Sequence, residues 1–157
     1  MTIANPCKPV RTFLFVAFLT VGANLCVQPA SAQEHKAINL STTRGLPFSD
    51  GIVAGNTLYI AGQEGTDASD KLAAGGIGPE TTAALENIQR VLKEAGFQLK
   101  DVVSVTVFLA DIHEFPDMNK VYKSVMPDPK PARATVQVAA LVNGARIEIS
   151  AIAVRSK

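Results

Sequence analysis

Hydrophobic and polar positions recur along this chain with two different periods, which predict helices in some segments and strands in others. Apolar residues at steps of three and four give one apolar helical face over residues 79–95: Ala84, Leu85, Ile88, Val91, Leu92 and Ala95. Gly78 is expected to cap this helix, with Pro79 at its first position and Gly96 as its stop. A second, shorter helix is expected over residues 115–125 and is ended by the prolines that follow it.

Strand-like patterns fill most of the remaining chain, at residues 35–40, 51–54, 57–61, 101–110, 131–138 and 146–154. Gly55-Asn56 predicts a hairpin between the second and third strands, and Asn143-Gly144 predicts another between the last two. The order β-β-β-α-β-α-β-β indicates an α+β fold, with a mainly antiparallel sheet of about six strands and two helices packed on one face. The other face must meet water or another copy, which favours a closed homo-oligomer.

The N-terminal segment has the composition of an export signal. Lys8 and Arg11 precede an uncharged, mostly apolar run over residues 12–27, and Ala30-Ser31-Ala32 matches the site that signal peptidases cleave. We therefore expect a cleaved signal peptide at 1–32, a single domain at 33–157, and a periplasmic or secreted location. An uncleaved membrane anchor fits less well, because the run is shorter than the ~20 residues that span a bilayer. A lipid-anchored form at Cys26 is also disfavoured.

Composition and charge exclude several classes of function for the mature chain. Cys7 and Cys26, the two cysteines, both lie in the segment to be removed, so no disulfide, thiolate metal site or cysteine nucleophile is expected. Removing Lys8 and Arg11 leaves thirteen basic and fourteen acidic residues, a net charge of −1, without a basic cluster for nucleic acid. Two histidines without metal-ligand spacing, and no phosphate-binding glycine motif, predict no metal and no cofactor.

Arg133 is the strongest candidate for ligand chemistry, because it stands at the start of an apolar strand. Its planar guanidinium can make two parallel, charge-assisted hydrogen bonds to a carboxylate. This favours a site for a small carboxylic acid. The alternative is an exposed arginine at a strand end, which is the commoner situation for this residue type.

Five blocks of sequence, at residues 58–63, 84–88, 101–111, 130–133 and 147–154, together resemble the Rid (RidA/YjgF) family. The resemblance implies a chorismate-mutase-like (RidA-type) fold, a homotrimer around a closed sheet barrel, and ligand sites between subunits. It also implies enamine/imine deaminase chemistry, in which small 2-imino acids are hydrolysed to 2-keto acids and ammonia without cofactor or metal.

The same resemblance assigns roles to individual residues. Arg133 matches the arginine that binds the substrate carboxylate, and the family's glycine–glutamine pair is present as Gly62-Gln63. Asn119, at the second helix, matches the family's asparagine, and an aromatic residue follows at Tyr122. The expected substrate-binding set is Arg133, Gly62, Asn119 and Tyr122 together with Phe48, Ala61 and Thr135.

Four positions depart from the family pattern. Phe48 replaces a tyrosine, Ala61 a serine and Thr135 a cysteine, while Ser150 stands where the resemblance implies the acid that orients the hydrolytic water. Glu148 lies two residues away on the same strand face, about 7 Å along the strand.

Imine hydrolysis requires a fixed carboxylate, an oriented water and a proton for the departing nitrogen. Arg133 and Ser150 are the expected catalytic residues, but a serine hydroxyl carries no mobile proton near neutral pH. Glu64 and His113 are weaker candidates for the missing acid. Two functions therefore compete: an imine deaminase with an altered proton relay, and a non-catalytic exported trimer that binds a small carboxylate or imino acid through Arg133. A stabilising, chaperone-like role without a ligand is a third.

Overall fold

The secondary structure follows the predicted order. A computed structural model describes residues 34–40, 45–67 and 69–155, so the predicted signal peptide lies outside the described residues. The elements are β1 (His35–Ile38), β2 (Gly51–Ala54), β3 (Thr57–Glu64), α1 (Ile77–Glu94), β4 (Val102–Leu109), α2 (Phe115–Val125), β5 (Ala132–Gln137) and β6 (Ile147–Val154). None of the helices in these ranges is both long and apolar enough to cross a membrane.

The strands form one six-stranded sheet in the order β1-β2-β3-β6-β4-β5. Every neighbouring pair is antiparallel except β4 and β5, which run parallel. The prediction of an α+β fold with a mainly antiparallel sheet and two helices is therefore confirmed. The last strand, β6, lies between β3 and β4 in the middle of the sheet.

The two predicted hairpins have different outcomes. Gly55-Asn56 does connect a hairpin, in which Ala54 of β2 pairs with Thr57 of β3. The prediction for Asn143-Gly144 is wrong, because β5 and β6 lie on opposite sides of β4 and do not pair with each other. Asn143 and Gly144 still adopt the positive φ angles of such a turn, 56° and 73°, within a single turn at Val142–Gly144. Because β4 lies between β5 and β6, this turn does not connect two strands that are hydrogen-bonded to each other.

Helix α1 begins at Ile77, two residues before the predicted start, and Gly76 occupies the N-cap with a φ of 89°. The prediction that Gly78 caps the helix is therefore wrong. Pro79 lies inside the first turn, where backbone N–H groups have no intrahelical partner, so its missing donor costs no hydrogen bond. The predicted stop is confirmed, since Gly96 follows the helix with a φ of 75°.

The hydrophobic core lies between the helices and one face of the sheet. Along β6, Ile147, Ile149, Ala151 and Ala153 are buried in alternation with more accessible residues. Helix α1 covers them with its apolar face, and each fully buried leucine or isoleucine contributes about 1.5–3 kcal/mol. The opposite sheet face remains apolar and accessible, with Tyr59 and Val136 exposed to 51% and 43%.

Candidate functional site

The predicted site residues fall into two groups in the protomer. We call Arg133, Thr135, Asn119, Tyr122 and Phe115 the arginine cluster; it lies where β5 meets α2. We call the cavity at the end of β3 and the start of β6 the acid cleft.

Arg133 is held in place by hydrogen bonding and by aromatic rings. Parallel pairing with β4 puts it beside the core residue Val105, which directs its side chain towards α2. One guanidinium nitrogen donates to Asn119 Oδ1 at 2.8 Å. The guanidinium carbon lies 4.3 Å from the centroid of the Tyr122 ring and 5.6 Å from that of Phe115. Such cation–π contacts orient the charge without neutralising it.

Two polar atoms beside Arg133 have no hydrogen-bond partner in the part of the chain that the structure describes. They are the Tyr122 hydroxyl and Thr135 Oγ1, and both are buried. Burial raises the pKa of Tyr122, although the Arg133 charge opposes this effect, so the hydroxyl keeps its proton at neutral pH. An unsatisfied buried hydroxyl costs about 1–3 kcal/mol, and a bound anion could remove that cost by hydrogen bonding.

Arg146, in contrast to Arg133, has a structural role and is paired with carboxylates. Its side chain contacts Glu80 of α1 and Glu114 beside α2, and its backbone N–H donates to Glu80 Oε2 at 2.8 Å. These contacts tie the start of β6 to both helices. Arg133, by contrast, forms no ion pair with any carboxylate among the described residues, so its charge remains available to a ligand.

The acid cleft has a volume of about 640 Å³ and brings together residues that are distant in sequence. It is lined by Leu40, Leu46, Phe48, Asp50, Ala61, Gly62, Gln63, Glu64, Thr66, Asp70, Asn87, Arg90, Val142, Asn143 and Glu148. The predicted residues Phe48, Ala61 and Gly62 thus share one cavity. Its volume is ample for a small imino acid, since ligand pockets run from about 300 to 1,000 Å³.

A bulge in β3 sets which residue of that strand lies opposite Glu148. Ile60 pairs with Ala151, but Gln63 pairs with Ile149, so β3 has one residue more than β6 in this stretch. Glu64 consequently lies directly opposite Glu148. Ser150, the predicted position of the acid, lies beside Thr106 of β4 and is not among the residues that line the cleft.

Gly62 is required for the position of the Glu148 side chain. A Cβ atom at Gly62 would lie 2.6 Å from the Glu148 carboxyl carbon and 2.9 Å from its Cγ, and would overlap one carboxylate oxygen. The absent side chain therefore leaves the space that the Glu148 carboxylate occupies. Within the described residues, that carboxylate accepts no hydrogen bond, so it is available to a water molecule or ligand.

Asn87 fixes the end of β3 that carries Glu64. Its amide nitrogen donates to the carbonyl oxygens of Glu64 and Thr66, at 3.0 and 3.1 Å, and its Oδ1 accepts from Arg90. From the sequence, Asn87 has no predicted role beyond its place in the family resemblance. The available signal was its place on the buried face of α1, where a polar residue requires hydrogen-bond partners.

Glu64 has an altered acidity. Burial raises its pKa above the usual 4.5, and the neighbouring Glu148 and Glu80 carboxylates raise it further. A hydrogen bond from the Asn143 side chain acts in the opposite direction. Perturbed carboxyl groups in a cleft are typical of functional sites.

One protomer does not bring the arginine cluster and the acid cleft together. Arg133 lies beside core residue Val105, whereas Glu148 alternates with core residues Ile147 and Ile149 and therefore projects from the opposite sheet face. β4 also lies between β6 and β5, a separation of about 10 Å across the sheet. His113, a weaker candidate, is exposed in the short turn before α2.

Comparisons with known proteins agree with this architecture. The model of the family described as Endoribonuclease L-PSP matches residues 42–155. Bovine 2-iminobutanoate/2-iminopropanoate deaminase is 48% identical over 110 residues, which cover 69% of this chain and 80% of the bovine protein. RidA from an Antarctic Psychrobacter is 36% identical, with a TM-score of 0.68 over 76% of this chain and 94% of its own. E. coli TdcF, solved with bound serine, is 30% identical and has a TM-score of 0.71. The match covers 77% of this chain and 99% of TdcF. Sequence and fold thus agree, and the chain belongs to the Rid/YjgF (Endoribonuclease L-PSP) family.

Proposed function

We propose that this protein is an imine deaminase that hydrolyses small 2-imino acids to 2-keto acids and ammonia, in sites shared between the protomers of a homotrimer. The observation that carries the proposal is the Glu148 carboxylate, which lies over Gly62 in a cleft of suitable size and has no hydrogen-bond donor of its own among the described residues. The identity to imine deaminases supports the same reaction.

Arg133 binds the substrate carboxylate in this proposal. Asn119 and the Tyr122 ring set the plane of its guanidinium, so the group is oriented before the ligand arrives. The Tyr122 and Thr135 hydroxyls supply further donors to the same carboxylate. A prepared clamp of this kind lowers the entropic part of the reaction barrier. The serine bound to TdcF, itself a small molecule with a carboxylate, supports a ligand of this class.

Glu148 activates the water that attacks the imine carbon. Its carboxylate accepts a hydrogen bond from a water molecule and removes a proton as the water oxygen bonds to the C=N carbon and the C=N π electrons move to nitrogen. General base catalysis of this kind contributes about 10²–10⁴-fold. Phe48 and Ala61, which replace hydroxyl-bearing residues of the family pattern, line the same cleft and leave this role to the carboxylate.

A trimer reconciles the two separate groups of residues. The Arg133 and Glu148 side chains project from opposite faces of the sheet in one protomer, and β4 lies between their strands, so no single small substrate contacts both. A neighbouring protomer can supply the missing half. The accessible apolar face, which includes Tyr59, Val136 and Val154, offers the surface that such an assembly would bury.

The cleft does not favour RNA, despite the family's descriptive name. Among the described residues, the carboxylates of Asp50, Glu64, Asp70 and Glu148 line it, and Arg90 is the one basic residue. Phosphate contacts need clustered positive charge, and an acidic cleft repels a polyanion.

We further propose that the protein acts outside the cytoplasm after removal of residues 1–32. The basic start, the apolar run and Ala30-Ser31-Ala32 support this location. N-terminal sequencing of the protein from its native host should find Gln33 as the first residue. Recovery of the uncleaved chain from the cytoplasm would contradict the proposal.

The enzymatic proposal is tested with 2-iminobutanoate and 2-iminopropanoate released in situ, with semicarbazide as a competing trap. Purified mature protein should accelerate keto acid formation. Glu148→Gln should lower kcat by about 10²–10⁴-fold, because the amide cannot accept a proton. Glu94→Gln, at an exposed carboxylate at the end of α1, is the matched control and should retain the wild-type rate. A wild-type protein that binds these ligands without accelerating their hydrolysis would contradict the proposal.

A further inference from the structure

We infer that Glu64 is a second proton-transferring residue of this site, so that the acid of the reaction is a carboxyl pair rather than Glu148 alone. The inference rests on the proposed deaminase function. It concerns a residue that the family resemblance does not assign, and it depends on the register between β3 and β6.

The two carboxyl groups are brought together by the sheet itself. Glu64 and Glu148 are directly opposite in the antiparallel ladder, and both line the acid cleft. The Cβ atoms of such partners lie about 4.5–5.5 Å apart, which puts the carboxyl groups within reach of each other and of one bound water. Like charges at opposed positions are destabilising unless a proton lies between them.

The surroundings of Glu64 favour retention of that proton. Glu148 faces it from β6 and Glu80 from α1, while Asp50, Asp70 and Arg90 line the same cleft. Arg90, the one basic side chain in the part of the lining that the structure describes, donates a hydrogen bond to Asn87 Oδ1. Burial and the adjacent carboxylates raise the pKa of Glu64, in the direction expected for two acids that share one proton.

Glu64 is not required for the local fold. The backbone carbonyl of Glu64 is already fixed by the Asn87 amide, and β3 is paired with β6 through its main chain. Any side chain of similar length would satisfy these contacts. A carboxyl group opposite another carboxyl group costs stability, so its presence is better explained by chemistry than by packing.

Together, the carboxyl groups of Glu64 and Glu148 can carry out all the proton transfers of the hydrolysis. As the water oxygen forms a bond to the imine carbon, the C=N π electrons move to nitrogen, which takes the proton of Glu64, while Glu148 takes a proton from the water. In the second step Glu148 returns its proton to the amine nitrogen, and the Glu64 carboxylate removes the hydroxyl proton. The C=O bond then forms, the C–N bond breaks with its electrons on nitrogen, and ammonia leaves with both acids restored.

The first test is the pH dependence of kcat for Glu64→Gln, Glu64→Asp and the control Glu94→Gln. The wild-type rate should fall on the alkaline side of its optimum, as the pH rises through the pKa of Glu64 and the group loses its proton. Glu64→Gln should lower kcat about 10²-fold, leave KM unchanged and lose the alkaline limb. Glu64→Asp should restore the limb, which a merely structural role would not. A Glu64→Gln enzyme with the wild-type kcat and alkaline limb would overturn this inference while leaving the deaminase function intact. An inactive wild-type protein would overturn both.

The second test needs no substrate. Carboxyl carbons of ¹³C-labelled protein are titrated by NMR in the wild type and in Glu148→Gln. The pKa of Glu64 should lie above its usual value in the wild type. In the variant it should shift back towards that value, because the negative charge of Glu148, which raises it, has been removed. An unchanged Glu64 titration in Glu148→Gln would show that the two groups do not share a proton, and would overturn the pair.

Discussion

The arginine cluster and the acid cleft carry unbalanced charges of opposite sign. In the cluster, Arg133 is surrounded by aromatic rings and an amide, with no carboxylate among the described residues to neutralise it. In the cleft, Glu64 and Glu148 oppose each other across two strands. Arg146, paired with Glu80 and Glu114, shows that the fold balances charge where it needs only stability. Unbalanced charge in both regions therefore indicates function, and the two regions are complementary to one another.

The largest effect is expected from mixing two inactive proteins. Arg133→Ala and Glu148→Gln should each be nearly inactive, but co-refolded together they should recover about a quarter of the wild-type rate, because some interfaces combine an intact arginine with an intact acid. Each variant refolded alone is the control. No recovery, with mixed oligomers verified by native mass spectrometry, would show that the two regions do not form a shared site.

A smaller effect should follow from Arg133→Lys, which keeps the charge but loses the planar fork and the stacking on Tyr122. We expect kcat/KM to fall about 10²-fold, mainly through KM. The matched control is Arg146→Lys, which should lower the melting temperature and leave KM unchanged. An unaltered KM in Arg133→Lys would mean that the cluster does not bind the substrate carboxylate.

The acid cleft is tested in turn by Gly62→Ala. The added Cβ would displace the Glu148 carboxylate, so we expect kcat to fall about 10-fold with little change in KM. Gly78→Ala is the control, since a Cβ there has no neighbour within 4 Å. A Gly62→Ala enzyme with full activity would indicate that the position of Glu148 over this glycine is unimportant.

The smallest effect concerns stability rather than rate. The raised pKa of Glu64 means that the folded protein binds this proton more tightly than the unfolded chain does, so ionised Glu64 destabilises the fold above its folded pKa. Glu64→Gln should therefore raise the melting temperature at pH 7–8. This rise in melting temperature should become smaller as the pH falls, and it should be absent below pH 4.5, the pKa of Glu64 in the unfolded chain. Equal gains at neutral and acid pH would contradict this assignment.

The sequence predicted the helices and strands better than it predicted which strands pair with each other. Helix α2 has the predicted bounds, because its periodic apolar face and the following prolines are local signals. The Asn143-Gly144 prediction failed although both residues have the expected φ angles. A turn preference is local, whereas the placement of β5 and β6 on either side of β4 depends on a strand that ends 34 residues before Asn143.

The same distinction applies to the site. Arg133, Asn119 and Tyr122 do gather in the fold, as their matches to the family implied. The choice between Glu148 and Ser150 could not be made from the alternation along β6, because both residues occupy the same face. In the structure Glu148 lines the acid cleft and Ser150 does not, and the β3 bulge puts Glu64 rather than Gln63 opposite Glu148. The two-residue alternation of side chains along one strand does not show whether the neighbouring strand has an extra residue.

The segment between β5 and β6 has a consequence for how this protein could diversify. It passes over the end of β4 and contributes Val142 and Asn143 to the cleft wall, yet neither residue belongs to a strand. Insertions or exchanges there would reshape the space around a substrate side chain while every ladder of the sheet stayed intact. Selectivity for one imino acid over another can therefore evolve in this short loop, separately from the chemistry and from folding.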